Sequence, residues 1–449
     1  MGKLFGTDGI RGEANRFPMD AHTVLSVGQA IAQARKDKDG PGPVIIGRDT
    51  RISGPMLQSA LIAGITSMGC DTLLAGILPT PGVAFLTKSL ALGMGIMISA
   101  SHNPFQDNGI KFFKGDGFKL SEQEEEHLED LILNDTPKQA FVPPPEIGRQ
   151  IEMRDSQDRY IDFLKRSFPA GCSMDNIKVV LDTANGATHR VAPEVFVELG
   201  ARTEVIHNQP NGININDQCG SLHTGDLEER VVQTGASLGL AFDGDGDRLI
   251  AVDERGRRVT GDQTLIICAN ALKKLGKLKN NLVIGTVMSN LGLRIACGKL
   301  GLNYHPSNVG DRYVLEDMKR LGAVIGGEES GHIIFLNHHT TGDGILSALQ
   351  LIAAMLFENK PLSELVDIME IYPQALINVP VKRKEELSSF PRVSRIIREA
   401  EKKLGDRGRV LVRYSGTQDL CRIMVEAPTQ DMAEDLCARI AETIKTSLG

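Results

Sequence analysis

Short apolar runs rich in β-branched residues break again and again into small polar loops and then into helical spacing. "PVIIGRDTR" leads into "GPMLQSALIAGITSMG", and "TLLAGILPTPG" returns to strand-like residues. "IKVVLDTANGA" precedes "HRVAPEVFVELGA". "GDQTLIICANALKKLG" precedes "NLVIGTVMSN" and "LGLRIACGKLG". Strands joined through helices build layered α/β structure with mainly parallel sheets. The pattern recurs three times before about residue 368, which predicts three similar α/β domains. At 449 residues the chain is too long for one core in any case. The Pro-rich stretch 136–148 and the charged turn "VDERGRR" mark the first two boundaries, giving domains over 1–150, 151–254 and 255–368. The remainder, 369–449, reads differently. It has a strand in "ALINVPVKR", a helix in "FPRVSRIIREAEKKLG", two strands around "YSGT", and an amphipathic helix after Thr429. That order predicts a smaller α+β domain.

Composition narrows the function. Tryptophan is absent and aromatics make up 4% of the chain, so stacking platforms for single-stranded nucleic acid are not expected. A net charge of −7 argues against an extended polyanion-binding face and leaves room for local basic pockets. The apolar stretch from Ile345 to Phe357 is too short to span a bilayer and predicts a buried helix. Seven scattered cysteines without a C-x-x-C pair read as reduced thiols. The first residues carry no apolar signal-peptide run. A cytoplasmic protein is the expectation.

Five loops carry chemistry. In "GIMISASHNPFQDNGIKFF" an apolar strand breaks at Ser99, and Pro104 forces a turn that can expose the Ser101 hydroxyl. It reads as a nucleophile or phosphate carrier, or as a helix cap. No G-x-S-x-G elbow surrounds it, which weakens a hydrolase reading. In "LGLAFDGDGDRLIAV", Asp243, Asp245 and Asp247 alternate with glycines. Residues at i, i+2 and i+4 of an extended loop point the same way, and converging carboxylates call for a hard cation. An EF-hand is rejected, because Arg248 stands where that loop needs glycine and the flanks read as strands. Open positions left over suit Mg²⁺ carrying a phosphate. In "GGEESGHIIF", Glu328 and Ser330 can read sugar hydroxyls, with His332 beyond them, and a capped turn is the other reading. In "VRYSGTQDLCR", Ser415, Gly416 and Thr417 between Arg413 and Arg422 read as a phosphate nest, or as a hairpin turn. The loops bearing Arg11, Arg48 and Arg51 bind anions or close structural salt bridges, the second being commoner. Together the loops are parts for phosphoryl transfer on a phosphorylated sugar.

"FGTDGIRG", "GRDTRISG", "SASHNP", "FDGDGDR", "GGEESGH" and "RYSGT" stand in an order and spacing that resembles the α-D-phosphohexomutases from end to end. "NGININDQCGSLH" (211–223) and "HIIFLNHHTTGDGILSALQ" (332–350) resemble the glucosamine branch. The resemblance implies four domains around a central cleft, with Ser101 as phosphoserine. It implies one Mg²⁺ held by Asp243, Asp245, Asp247 and an oxygen on Ser101. Glu328 and Ser330 would grip the sugar, and Arg413, Ser415, Gly416, Thr417 and Arg422 the phosphate that does not react. Lys111 and His332 are candidates for proton transfer, and Arg11 and Arg248 for charge stabilisation. His102 would shape the turn and its charge. Ser101 would pass its phosphate to glucosamine 6-phosphate, making glucosamine 1,6-bisphosphate. That intermediate would turn around, return its 6-phosphate and leave as glucosamine 1-phosphate, supplying UDP-N-acetylglucosamine and cell-wall synthesis. The partner is a small phosphosugar, with no nucleic acid and no membrane. A homodimer and a kinase that primes Ser101 both stay open. Three departures stand out. Ser99 replaces a common threonine, Gln418-Asp419 replaces a usual Glu-Pro, and Glu329 resembles phosphoglucomutases. The alternative is therefore a glucose or mannose phosphate substrate with the same mechanism. A serine-dependent phosphatase and a non-catalytic sugar-phosphate binder are the rival classes.

Overall fold

The computed structural model describes residues 4–6, 8–36, 42–133, 141–415 and 419–448. Two compact units emerge. One comprises Met1–Met288 and Leu302–Ile368, the other Ser289–Gly301 and Met369–Gly449.

The first unit holds three mixed sheets. The largest runs, edge to edge, through Phe5–Gly6, Gly9–Glu13, Asp107–Lys114, Met94–Ile98, Val44–Arg48, Thr72–Ile77 and Gln150–Glu152. Its parallel part is Met94–Ile98, Val44–Arg48, Thr72–Ile77 and Gln150–Glu152. Those first three strands carry the continuous apolar runs that burial on both faces demands. Two helices, Ala21–Lys36 and Gly54–Ser67, pack closely because Gly28 and Gly64 meet there. A Cβ on Gly64 would stand 2.2 Å from the Leu25 carbonyl oxygen.

The second sheet has Lys178–Asp182 parallel to both Arg202–Ile206 and Leu238–Phe242, then Leu249–Asp253 and Arg258–Val259 antiparallel. The third has Leu282–Thr286 parallel to Asn303–Ser307 and Ile325–Gly327, then Ile333–Phe335 antiparallel. The predicted apolar helix is present as Gly344–Glu358. Asp343 caps it, and Ile345, Leu346, Leu349 and Ile352 are buried. Among the described residues no helix is long and apolar enough to cross a membrane.

The second unit is the smaller α+β body. Three antiparallel strands run in the order Gln374–Pro380, Leu420–Glu426, Arg409–Tyr414, under helices Pro391–Leu404 and Gln430–Leu448. Helix Leu291–Lys299 belongs to this unit by contact, although its sequence neighbours lie in the third sheet. The buried Glu426 carboxylate explains the attachment. It accepts from Leu291 N at 3.1 Å and from Arg409 Nε at 2.5 Å.

Candidate active site

In each sheet of the first unit, the loop singled out in the sequence leaves a strand whose antiparallel neighbour brings the chain straight back. Ser101 lies between Met94–Ile98 and Asp107–Lys114. The aspartates lie between Leu238–Phe242 and Leu249–Asp253. Glu328 lies between Ile325–Gly327 and Ile333–Phe335. A hairpin-like return fixes a loop at both ends, so its side chains are placed by two paired strands rather than one.

Ser101 sits in the left-handed region at φ +52° and is 1% exposed. A non-glycine residue there is uncommon and needs holding. Ser99 Oγ accepts from Ser101 N at 2.9 Å and donates to Asp49 Oδ2 at 2.6 Å. Arg51 does most of the holding. Its fully buried side chain donates to Asp49 Oδ2 (2.9 Å) and to the carbonyls of Ser101 (2.9 Å), Asn103 (2.8 Å), Pro104 (2.5 Å) and Asp107 (3.1 Å). Arg51 is thus the structural salt bridge and not an anion ligand. From the second sheet, Asn216 Nδ2 donates to the carbonyls of Ser101 (2.9 Å) and Asn103 (3.0 Å). Gly244 lets the acidic loop come near, since a Cβ there would stand 2.6 Å from the Ser101 carbonyl oxygen.

The three carboxylates converge as the spacing predicts. Asp243, Asp245 and Asp247 are buried, and each offers an oxygen within 4.8 Å of the others. Two unit charges at that distance repel by about 3 kcal/mol at an effective dielectric near 20. Ser101 Oγ donates to Asp243 Oδ2 at 2.5 Å. Lys111 Nζ meets Asp245 Oδ2 at 2.7 Å and Asp247 Oδ2 at 3.1 Å. Asp245 Oδ1 and Asp247 Oδ1 are buried with no hydrogen-bond partner among the described residues. Burial, then Asp247 and Asp245, push the Asp243 carboxyl well above its usual range. A cluster in which Asp243 is pushed toward its neutral form, with two buried carboxylate oxygens unpartnered among the described residues, fits a divalent cation bound through oxygen.

Around it stand the other candidates. Burial opposes charge on Lys111, but Asp245, Asp247 and Asp8 outweigh it and hold the ammonium well above its usual range. His102 Nδ1 is 3.4 Å from Ser101 Oγ. Burial, then Arg248 and Arg11, lower the ring's pKa to about 4, so it is a neutral imidazole at pH 7. His332 Nδ1 lies 3.7 Å from Asp247, while its Nε2 accepts from Gly342 N at 3.2 Å. Arg11 reaches Asp8 at 2.5 Å, and Arg248 Nε lies 3.9 Å from Asp247. The Nε atoms of both arginines are buried without a hydrogen-bond partner among the described residues. Glu328 Oε1 accepts from Gly310 N at 3.0 Å, and Ser330 Oγ is buried and unpartnered among the described residues.

The acidic loop is tied to both neighbours. Asp245 O accepts from Thr80 N at 2.9 Å, Gly246 O from Gly344 N at 2.9 Å, and Leu249 N donates to Gly331 O at 3.0 Å. Asp8, Thr80, Lys119, Asn216 and Asp311 were not singled out in the sequence. Each acts through a partner more than a hundred residues away. Asp8 stood in the arginine-bearing loop "FGTDGIRG" and Asn216 in the branch-like stretch 211–223, but neither was assigned a part.

In the second unit, Arg413 and Arg422 stand directly opposite on paired strands, and Arg422 Nη2 lies 3.4 Å from Ser415 Oγ. Burial and then Arg422 lower the pKa of Arg413. Like charges placed opposite cost stability unless an anion joins them. Gly416, Thr417 and Gln418 lie outside the described residues.

A buried serine on a carboxylate cluster, three mixed α/β sheets and a further small α+β body are the marks of a phosphohexomutase. The chain belongs to the phosphoglucomutase/phosphomannomutase family. Its α/β/α domains I, II and III match residues 2–139, 158–256 and 260–372, and its C-terminal domain matches 376–443. Over its whole length the chain is 60% identical to a phosphoglucosamine mutase of Syntrophobacter fumaroxidans and 55% identical to one of Syntrophus aciditrophicus, covering each of them fully. It shares its fold with a phosphoglucomutase/phosphomannomutase family protein of Burkholderia thailandensis (TM-score 0.80, 22% identity, 99% of this chain and 97% of that one). It also shares it with an Aspergillus fumigatus N-acetylphosphoglucosamine mutase solved with GlcNAc-6P and magnesium (0.73, 18%, 100% and 96%).

Proposed function

We propose that this chain is a phosphoglucosamine mutase. It interconverts glucosamine 6-phosphate and glucosamine 1-phosphate through a phosphate on Ser101 and a glucosamine 1,6-bisphosphate intermediate, supplying UDP-N-acetylglucosamine and cell-wall synthesis. The observation that carries the reading is the Ser101 hydroxyl 2.5 Å from Asp243 within a buried three-carboxylate cluster.

Asp243, Asp245 and Asp247, with an oxygen on Ser101, would hold Mg²⁺, which neutralises charge on the phosphoryl group in transfer. As phosphate leaves Ser101, the P–Oγ bond breaks and a bond to the sugar hydroxyl oxygen forms. That hydroxyl loses a proton, and Ser101 Oγ regains one. Lys111, held as an ammonium by its aspartates, enters as the donor to Oγ. His332, with Nδ1 toward Asp247, is the candidate on the sugar side. Arg11 and Arg248 have buried Nε–H groups without hydrogen-bond partners among the described residues and can turn them to phosphoryl oxygens. His102, neutral, keeps a further positive charge away from Ser101. Glu328 and Ser330 take sugar hydroxyls. Arg413, Arg422, Ser415, Gly416 and Thr417 take the phosphate that does not react, at either end of the intermediate. Ser101 must arrive phosphorylated, whether by a kinase, by itself or by a bisphosphate. Seven scattered cysteines without a C-x-x-C pair suit a reducing cytoplasm.

The test compares kcat/KM for the phosphates of glucosamine, glucose and mannose, with Mg²⁺ and the matching bisphosphate present and Ser101→Ala as blank. A large preference for glucosamine phosphate supports the proposal. A preference for glucose or mannose phosphate keeps the mechanism and makes Glu329 the better guide to substrate. Wild-type turnover by Ser101→Ala refutes the phosphoserine.

A further inference from the structure

A second group of metal-ligating side chains lies in the second sheet, apart from the three active-site aspartates. Asp182 ends strand Lys178–Asp182, His207 follows strand Arg202–Ile206, and Cys219 stands in the loop that returns toward it. A carboxylate oxygen of Asp182, a ring nitrogen of His207 and Cys219 Sγ all lie within 4.8 Å of one another. Asp182 is fully buried and Cys219 is 1% exposed. The backbone converges the three. His207 is left-handed at φ +49° and Gly220 at φ +72°, and Ala184 N (2.9 Å) and Gly220 N (2.8 Å) fix the Asp182 carboxylate.

The imidazole is oriented from behind. His207 Nε2 lies 3.2 Å from Asp226 Oδ2. A carboxylate on one ring nitrogen sets the tautomer and turns the other nitrogen's lone pair inward, the usual outer arrangement around a metal-bound histidine. Nδ1 is buried 3.1 Å from Asp182 Oδ1, yet it makes no well-formed hydrogen bond there. With the proton on Nε2, Nδ1 and the Asp182 carboxylate are both acceptors, and Cys219 stands close to them.

We propose that Asp182, His207 and Cys219 form a binding site for a borderline or soft divalent cation of the zinc class, distinct from the oxygen-only site of Asp243, Asp245 and Asp247. One thiolate, one imidazole and one carboxylate select such a metal over Mg²⁺. A fourth position is left for water, as in open tetrahedral sites. Binding requires Cys219 to release its proton to solvent. Occupancy therefore rises with pH, and a proton appears in solution for each ion bound. The site anchors both ends of the segment 207–219. That segment carries Asn216, whose amide holds the carbonyls of Ser101 and Asn103. A filled site stiffens the strap behind the active-site serine.

The competing account is a protonated His207 bridging Asp182 and Asp226 with no metal. The experiment uses the full chain in saturating Mg²⁺, so that the aspartate cluster is occupied, and titrates in Co²⁺ as probe while recording the near-ultraviolet spectrum. A thiolate-to-cobalt charge-transfer band at one equivalent is expected. Cys219→Ser abolishes it, and His207→Asn or Asp226→Asn weakens binding by about tenfold or more. Zn²⁺ displaces the cobalt and raises the melting temperature of the wild type but not of Cys219→Ser. Absence of the band in wild type overturns the proposal. So does a band that survives Cys219→Ser and disappears with Cys172→Ser, the exposed thiol. Should Cys219→Ser misfold by circular dichroism, His207→Asn alone decides, and an unchanged band there refutes the site.

Discussion

Arg51→Lys tests whether the loop around Ser101 is held from outside itself. Arg51 serves five oxygens, of which four are backbone carbonyls between residues 101 and 107. A lysine ammonium has three donors and no planar fork, so at least two of the five hydrogen bonds are lost. At about 1–1.5 kcal/mol each, the first unit loses about 2–3 kcal/mol of stability. Arg51→Met removes all five and leaves Asp49 as an uncompensated buried charge, for about 3–5 kcal/mol. The catalytic effect has a distinct signature. A Ser101 displaced by a fraction of an ångström slows transfer, and about 1 Å of misplacement costs on the order of a hundredfold. Among the described residues, the side-chain hydrogen bonds of Arg51 go to Asp49 and the serine loop. Expected for Arg51→Lys is a melting temperature lower by several degrees, a kcat lower by about 10–100-fold, and a KM for sugar phosphate within about threefold of wild type. Thermal unfolding with and without Mg²⁺, followed by single-turnover transfer from the phosphorylated enzyme, gives each number. A variant with wild-type transfer rate, or one whose loss falls wholly in KM, would refute the assignment of Arg51 to the serine loop.

Three further outcomes are expected. Asp245→Asn weakens Mg²⁺ by about tenfold or more in a calorimetric titration, because it removes one of the three converging charges; unchanged affinity would remove Asp245 from the ligand set. Arg413→Ala raises KM for sugar phosphate with little change in kcat, and leaves the second unit as stable as wild type or slightly more so, since it relieves the opposed pair with Arg422. Steady-state kinetics and thermal unfolding check both halves, and a loss of stability with normal KM would make the arginines structural. Burial pushes the Asp343 carboxyl up to about 7, from an unfolded value near 4. The folded state therefore binds the proton more tightly, and stability falls as pH rises through that window. Asp343→Asn, which still caps the helix and accepts from Tyr160, reduces the difference in melting temperature between pH 5 and pH 8; an unchanged difference would contradict the raised pKa.

What could be read from sequence followed from range. Strands buried on both faces appear as continuous apolar runs, so the α/β layers and the helix Gly344–Glu358 were legible. So was the acidic cluster, because i, i+2 and i+4 converge within one loop. Strand Gln150–Glu152 was not, because all three of its residues are exposed and carry no apolar pattern. Arg51 could be placed only as an alternative between anion binding and salt bridging, since its carbonyl acceptors lie about fifty residues on. Asn216, Thr80 and Lys119 make contacts that no local spacing encodes. Helix Leu291–Lys299 has ordinary helical spacing, and nothing in it names Glu426 as its anchor.

The ties between the acidic loop and the strands and helix caps beside it bear on how such chains can diversify. Thr80, Gly331 and Gly344 belong to different sheets' surroundings, yet each is bonded to the same short stretch around Asp245. A segment exchanged between relatives at the boundary of the second sheet would carry that stretch into a setting shaped for another partner. Recombination in the first unit should therefore succeed only when the three loops travel together, whereas within each sheet the helices on the outer faces are free to drift. The enzyme's modular outline conceals a single inherited block at its centre.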